Sequence, residues 1–136
     1  MRMSVRFLVS AFILTATACG SSTGTNYGGG STPPASCPSG VSATINATAL
    51  FTFDQSTATI TAGQKVCWLN NSGIAHTVSS GPAQMTPSDD GRFPGGSLPK
   101  GSFVVATFTT AGSYPFHCNV HLPPNYNMTG TITVNP

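Results

Sequence analysis

The segment FVVATFTTAGSYPFHC, Phe103–Cys118, decides the fold class. Its first run sets Phe103, Val105 and Thr107 against Val104, Ala106 and Phe108, a period of two that belongs to a β-strand. Ala111-Gly112 is a turn signal, and beyond it Tyr114, Phe116 and Cys118 fall on one face of a second strand. The same pattern extends outward. Upstream, Val41–Leu50 alternates through Val41, Ala43, Ile45 and Ala47. Thr57–Thr61 is β-branched around Ile60, and Lys65–Leu69 carries Val66 and Trp68 on one face. Ala62-Gly63-Gln64 and Asn70-Asn71-Ser72-Gly73 punctuate these runs. Downstream, Thr129–Val134 turns Ile132 and Val134 inward. Short strands at this spacing, with no convincing amphipathic helix, predict an all-β protein, a sandwich or barrel. Residues 80–100, rich in Pro, Gly and Ser, read as a long loop region.

Composition agrees. Charged residues are 6% of the chain, against about 25% in ordinary soluble domains. Arg2 and Arg6 lie at the extreme N-terminus. Lys65, Arg92 and Lys100 then balance Asp54, Asp89 and Asp90, so no basic surplus exists to hold a phosphate backbone and nucleic-acid binding is excluded. The scarcity of carboxylates argues against carboxylate acid/base catalysis and calcium cages.

Residues 1–18 read as a signal peptide. Arg2 and Arg6 form the positive region, and Phe7–Leu14 is an apolar run too short to span a bilayer. Two processing readings follow. Ala16-x-Ala18 suits ordinary signal peptidase and a soluble product. Cys19, directly after small residues, resembles a bacterial lipoprotein box with Cys19 as the lipidated residue, and the tract that it opens favours this reading. Residues 19–40, with Gly28-Gly29-Gly30 and Pro33-Pro34, have the composition of a flexible tether with a reach of ~25 Å as a Gly/Ser coil. Either route exports the protein to a periplasmic or cell-surface location, and the membrane is met through the lipid alone. The folded domain is expected over 41–136, a suitable size for one β-sandwich.

One group of residues points beyond architecture: Cys118-x-x-His121, Met128 and the upstream His76. Singly, each has an ordinary explanation. Together they are one thiolate, two imidazoles and one thioether, the ligand set of a type 1 copper site. The thiolate bonds covalently to copper, imidazoles suit both oxidation states, and the weak thioether favours the reduced one. Zinc sites of Cys and His generally use Cys-x-x-Cys pairs, which this chain lacks. A catalytic Cys is expected at a helix N-terminus or in an electropositive pocket, whereas Cys118 ends a strand.

These residues stand in a longer series. It runs Phe51-Thr-Phe-Asp54, Ala58-Thr-Ile-Thr-Ala-Gly63-Gln-Lys-Val66, Val66-Cys-Trp68-Leu-Asn70-Asn71 and His76-Thr77-Val78. Phe93, Leu98-Pro99-Lys100-Gly101 and Phe103 follow, then Phe108–Cys118 and Met128-Thr-Gly130-Thr-Ile132-Thr-Val134. In this order the series resembles the cupredoxins, type 1 blue copper proteins of the plastocyanin and pseudoazurin kind, over nearly all of residues 50–136. The resemblance implies a Greek-key β-sandwich with copper at one end, held by His76, Cys118, His121 and Met128. It implies an exported one-electron carrier and not an enzyme, in which Leu122, Pro123, Pro124 and Tyr126 form an apolar docking surface for redox partners around His121. The alternative is a protein that delivers copper to an exported cuproenzyme. A copper oxidase or nitrite reductase needs a second copper and further histidines, and a monomer is expected. The chain departs from close relatives in a His121–Met128 loop two residues longer, in Val120 before His121, in His117 before the thiolate and in Thr77 after the first histidine. Strand parity turns His117 away from Cys118, so a surface position is expected for it. With Cys118 on copper and Cys19 lipidated, Cys37 and Cys67 remain as a disulfide pair. Trp68 points inward, so Cys67 points outward, where the tail can lie over it.

Overall fold

The computed structural model describes residues 34–136, and the expectations for the signal peptide, the bulk of the tether and Cys19 lie outside them. The described chain is all-β, with eight strands in two sheets. They are β1 (Ala43–Asn46), β2 (Thr57–Thr61), β3 (Gln64–Asn70), β4 (His76–Ser80), β5 (Gly96–Leu98), β6 (Ser102–Phe108), β7 (Gly112–His117) and β8 (Thr129–Asn135). One sheet has the order β1-β3-β6 and the other β2-β8-β7-β4-β5. β1 pairs with β3, and β2 with β8, in parallel; the remaining pairs are antiparallel. At two of these strands the alternation gives no strand reading. β4 begins on His76 itself, and β5 lies inside the Pro/Gly/Ser-rich segment, where pairing of His76–Val78 with Gly96–Leu98 overrides weak local propensity.

The inner faces are those that the alternation marks. Ala106 and Phe108 of β6, Tyr114 and Phe116 of β7 and Ile132 and Val134 of β8 are buried. Trp68 stacks on Phe93 at 5.4 Å and meets Phe116 edge-on at 5.4 Å, and Phe53 meets Phe116 at 5.0 Å. These ring geometries are the favourable stacked and edge-to-face ones.

β3 is buried on both faces from Val66 to Asn70. On its outer face, residues 34–42 lie across it. Cys37 is disulfide-bonded to Cys67, Asn71 Nδ2 donates to the Ala35 carbonyl at 2.9 Å, and the Ser42 N–H donates to Lys65 O at 2.8 Å. By closing a loop across 30 residues of sequence, the bridge stabilises the fold by about 3 kcal/mol through the unfolded chain.

Gly130 shows how closely the strands before the site are fitted. A Cβ there would sit on the Phe116 ring, 2.7 Å from Cε1, and 2.8 Å from the Ser56 carbonyl oxygen. Gly130→Ala should therefore cost about 1–3 kcal/mol by overpacking, read from urea unfolding. Wild-type stability in that variant would show that Phe116 is free to move.

Candidate metal centre

Four segments build one end of the sandwich. The turn after β3 is held by Asn70, which is fully buried. Its Nδ2 donates to Ile74 O and Leu98 O, each at 2.8 Å, and its Oδ1 accepts from the Ser72 N–H at 2.9 Å and from the Ser72 hydroxyl. This turn delivers His76 as the first residue of β4. β7 delivers Cys118 immediately after its last residue. The Cys118 N–H donates to Met128 O at 3.0 Å, so the strand that starts after Met128 is locked to the strand that ends before Cys118. The tight turn Cys118–His121 brings back the second imidazole.

The donor atoms converge. The two Nδ1 atoms of His76 and His121 are 3.2 Å apart, and Cys118 Sγ is 3.3 Å from His121 Nδ1. All three ligand atoms lie within 4.8 Å of one another. The three residues are buried, His121 retaining 9% exposure. Met128 is also fully buried beside Cys118, whereas Met85 is 80% exposed. The sulfur is not left to the metal alone: the Thr77 N–H points at it at 3.3 Å and the Thr77 hydroxyl at 3.7 Å. Both imidazoles are held below the ordinary histidine range. For His76 the causes are burial and then the neighbouring His121, opposed by a hydrogen bond with the backbone of Thr48; for His121 the cause is burial. The sites thus favour neutral rings, the form that binds metals.

The family model for copper-binding proteins of the plastocyanin/azurin family matches residues 39–135. The chain belongs to this family. A plastocyanin from Scenedesmus fuscus is 32% identical over 93 residues, which cover 60% of this chain and 85% of that protein. The amicyanin of Paracoccus versutus superposes with a TM-score of 0.54 at 25% identity, covering 76% of this chain and 92% of its own. A purple cupredoxin from Nitrosopumilus maritimus gives 0.54 at 20% identity, covering 68% and 99%.

The cofactor of this cupredoxin is a single type 1 copper, and its activity is copper-based electron transfer to redox partners, not enzymatic catalysis. The donor set suits the ion: two imidazole nitrogens and one sulfur lie within 4.8 Å of one another, and these are the donor types of a type 1 copper.

Two features of the site depart from the sequence reading. His117 is not on the surface but fully buried. Parity does turn it from Cys118, but the segment after β4 folds over it. Its Nδ1 lies 2.8 Å from Gly81 O and its Nε2 2.9 Å from Asn119 Oδ1. Asn119 is the brace: its N–H donates to Thr77 Oγ1 at 2.7 Å, and its Nδ2 to Ser79 Oγ at 2.6 Å and Ser88 O at 3.0 Å. The second feature is Phe51. It stands at the tip of the turn joining Ala47 to Phe53, with φ 58°. Its ring centroid lies 4.7 Å from that of His121 and 4.6 Å from that of Tyr126, and Tyr126 meets His121 edge-on at 5.3 Å. No spacing or motif in the sequence signals this stack.

The expected docking residues surround it. Leu122 and Pro123 are half-buried, while Pro124 and Tyr126 are exposed. Asp90 does more than balance charge. Asp90 accepts from the Ser80 hydroxyl and from the Arg92 N–H at 3.1 Å, and Arg92 lies over the Tyr114 ring at 4.3 Å.

Two tests follow from this geometry. A left-handed backbone costs a β-carbon about 1–2 kcal/mol, so at position 51 the usual order of small residues is reversed. Phe51→Gly should be more stable than Phe51→Ala by about 1 kcal/mol in urea unfolding, and the opposite order would deny the left-handed turn. For Asp90, the Ser80 hydroxyl is the first cause holding the carboxyl below its ordinary value, with burial opposing. A depressed carboxylate contributes stability above its unfolded pKa of about 3.9 and loses it as pH falls through the lower folded value. Asp90→Asn should therefore be less stable than wild type near pH 7, and the gap should close below about pH 4. A gap independent of pH would assign the loss to packing.

Proposed function

We propose that His76, Cys118 and His121 hold the copper, with Met128 as the weak axial ligand, in an exported protein that carries single electrons between redox partners. The observation that carries this reading is the convergence of two Nδ1 atoms and one Sγ in a buried pocket. Bound copper supplies a one-electron couple there. The protein's part is to fix the ligands, exclude water and offer a way out for the electron. The brace of Asn70, Thr77 and Asn119 holds the ligand segments before any metal arrives, which keeps rearrangement between oxidation states small. The edge of His121, with Phe51 and Tyr126 against it and Leu122, Pro123 and Pro124 beside it, serves as the contact surface. Residues 47–52 and 119–127 carry no charge, so encounter with a partner should depend little on ionic strength.

The rival reading, delivery of copper to another protein, calls for ligands that a receiving site can reach. Here Cys118 and Met128 are fully buried, His76 is 2% exposed and Met85, 80% exposed, is not among the converging donors. This favours the electron carrier. For localisation we keep the lipoprotein reading, with Cys19 lipidated and residues 20–33 leading to the domain.

Addition of Cu(II) should give an intense thiolate-to-copper absorption band and a narrow copper hyperfine splitting in EPR, both lost in Cys118→Ser. Met128→Ala should keep copper but shift the EPR parameters and the potential, while Met85→Ala changes neither. A colourless copper complex of the wild type, or an effect of Met85 without one of Met128, would overturn the assignment.

A further inference from the structure

The two ends of the described chain lie at opposite poles of the sandwich. Ala35 receives its hydrogen bond from Asn71 at 2.9 Å, and Asn71 stands between Asn70 and Ser72, whose hydroxyl is 3.4 Å from His76 Nε2. Cys37 is bonded to Cys67, and Ser42 meets Lys65. Residues 35–42 therefore descend β3 from its copper end to its far end, and β1 climbs back in parallel. At the other terminus β8 leaves Met128 and runs away from the copper. Asn135 accepts from the Ala62 N–H at 2.8 Å, beside the Ala62-Gly63 turn at the far pole. The disulfide holds the chain to β3 at Cys37, and the Asn71–Ala35 hydrogen bond carries it from there to the copper end.

We propose that the protein is held to its membrane by the copper end, so that the face around His121 meets a redox protein bound to the same bilayer surface. This rests on the reading of Cys19 as lipidated. Residues 20–33 separate Cys19 from the described chain, and a chain of that length spans at most about 50 Å. Anchored there, the copper end stays within about one such span of the headgroups. Anchored at the C-terminus, it would stand further out by the seven residues of β8, about 23 Å at 3.3 Å per residue. The chemistry of this pole permits the approach. The loops over residues 47–52 and 119–127 are uncharged. At the copper end of β3 stands the exposed Lys100, next to Gly101, whose N–H donates to Asn70 O at 2.7 Å. A partner on the same surface meets the docking face at high effective concentration, whereas a freely diffusing partner gains nothing from this placement.

The test uses the full lipidated chain in nanodiscs of phosphatidylethanolamine and phosphatidylglycerol carrying a ferrocenium on a fraction of the headgroups. In each event one electron leaves Cu(I), which becomes Cu(II), and reduces one ferrocenium to ferrocene. The comparison chain has Cys19→Ala and a lipidated cysteine joined through a linker of equal length after Pro136. The native chain should reduce the headgroup ferrocenium at least tenfold faster, while both chains reduce soluble ferricyanide at one rate. Equal rates on the headgroup probe, with both chains lipidated, would overturn the inference and leave the electron-carrier reading intact. Mass spectrometry showing the native Cys19 without lipid would overturn the anchor reading and this inference with it.

Discussion

The hydrogen bond from the Thr77 N–H to Cys118 Sγ, at 3.3 Å, ties together the two strands that carry the site. β4 starts with one imidazole, paired on its other side with Leu98 of β5, and β7 ends one residue before the thiol, so pairing between β4 and β7 does not reach either group. β4 pairs with β7 through Ser79–His117 and Ser80–Phe116. Beyond that the strands diverge, and the pairing passes to side chains. The sulfur takes the place of a carbonyl as acceptor for Thr77, and the Thr77 hydroxyl takes the N–H of Asn119. The same sulfur that we propose as a copper ligand thus also closes the end of the sheet. Donors aimed at a copper-bound sulfur withdraw charge from it and tune the potential, so fold and redox chemistry share one atom.

Around that point the support is divided among three parts of the chain. Asn70 holds the turn before His76, Asn119 holds the turn after Cys118, and Phe51 with Tyr126 holds the ring of His121. The three act on different ligands from different parts of the chain. Placing Phe51 in the left-handed region costs stability, a kind of strain that persists only where the surroundings impose it and that clusters at functional sites. Polar groups buried near the site are largely satisfied by this network. The Trp68 indole N–H, buried without a partner, is an exception in the core and has its ring fully engaged with Phe93 and Phe116 instead.

The site was legible in the sequence because its strongest residues are close together and fixed by period two. Cys118 and His121 are separated by one tight turn, and the register of Ile132 and Val134 places Met128 at the head of β8. His76 was legible as the imidazole that completes this set and through the resemblance, since a histidine after a turn is by itself ordinary. What the sequence hides are contacts made across long separations by residues of ordinary type. β5 is three residues of Gly, Ser and Leu that become a strand only by pairing with β4. The burial of His117 depends on Ser88 and Gly81 coming to lie over β7. Alternation can say which face His117 occupies but not what covers that face. The partnership of Phe51 with His121 depends on a hairpin tip for which no local signal exists.

The claim on which everything else rests is that one preformed ligand set serves both oxidation states. X-ray absorption at the copper edge, on the oxidised and the reduced protein in turn, measures this directly. The account predicts one sulfur and two imidazole nitrogens as the strong ligands in both states, with bond lengths that change little. A copper bound by nitrogen and oxygen alone, or a ligand lost on reduction, would contradict it.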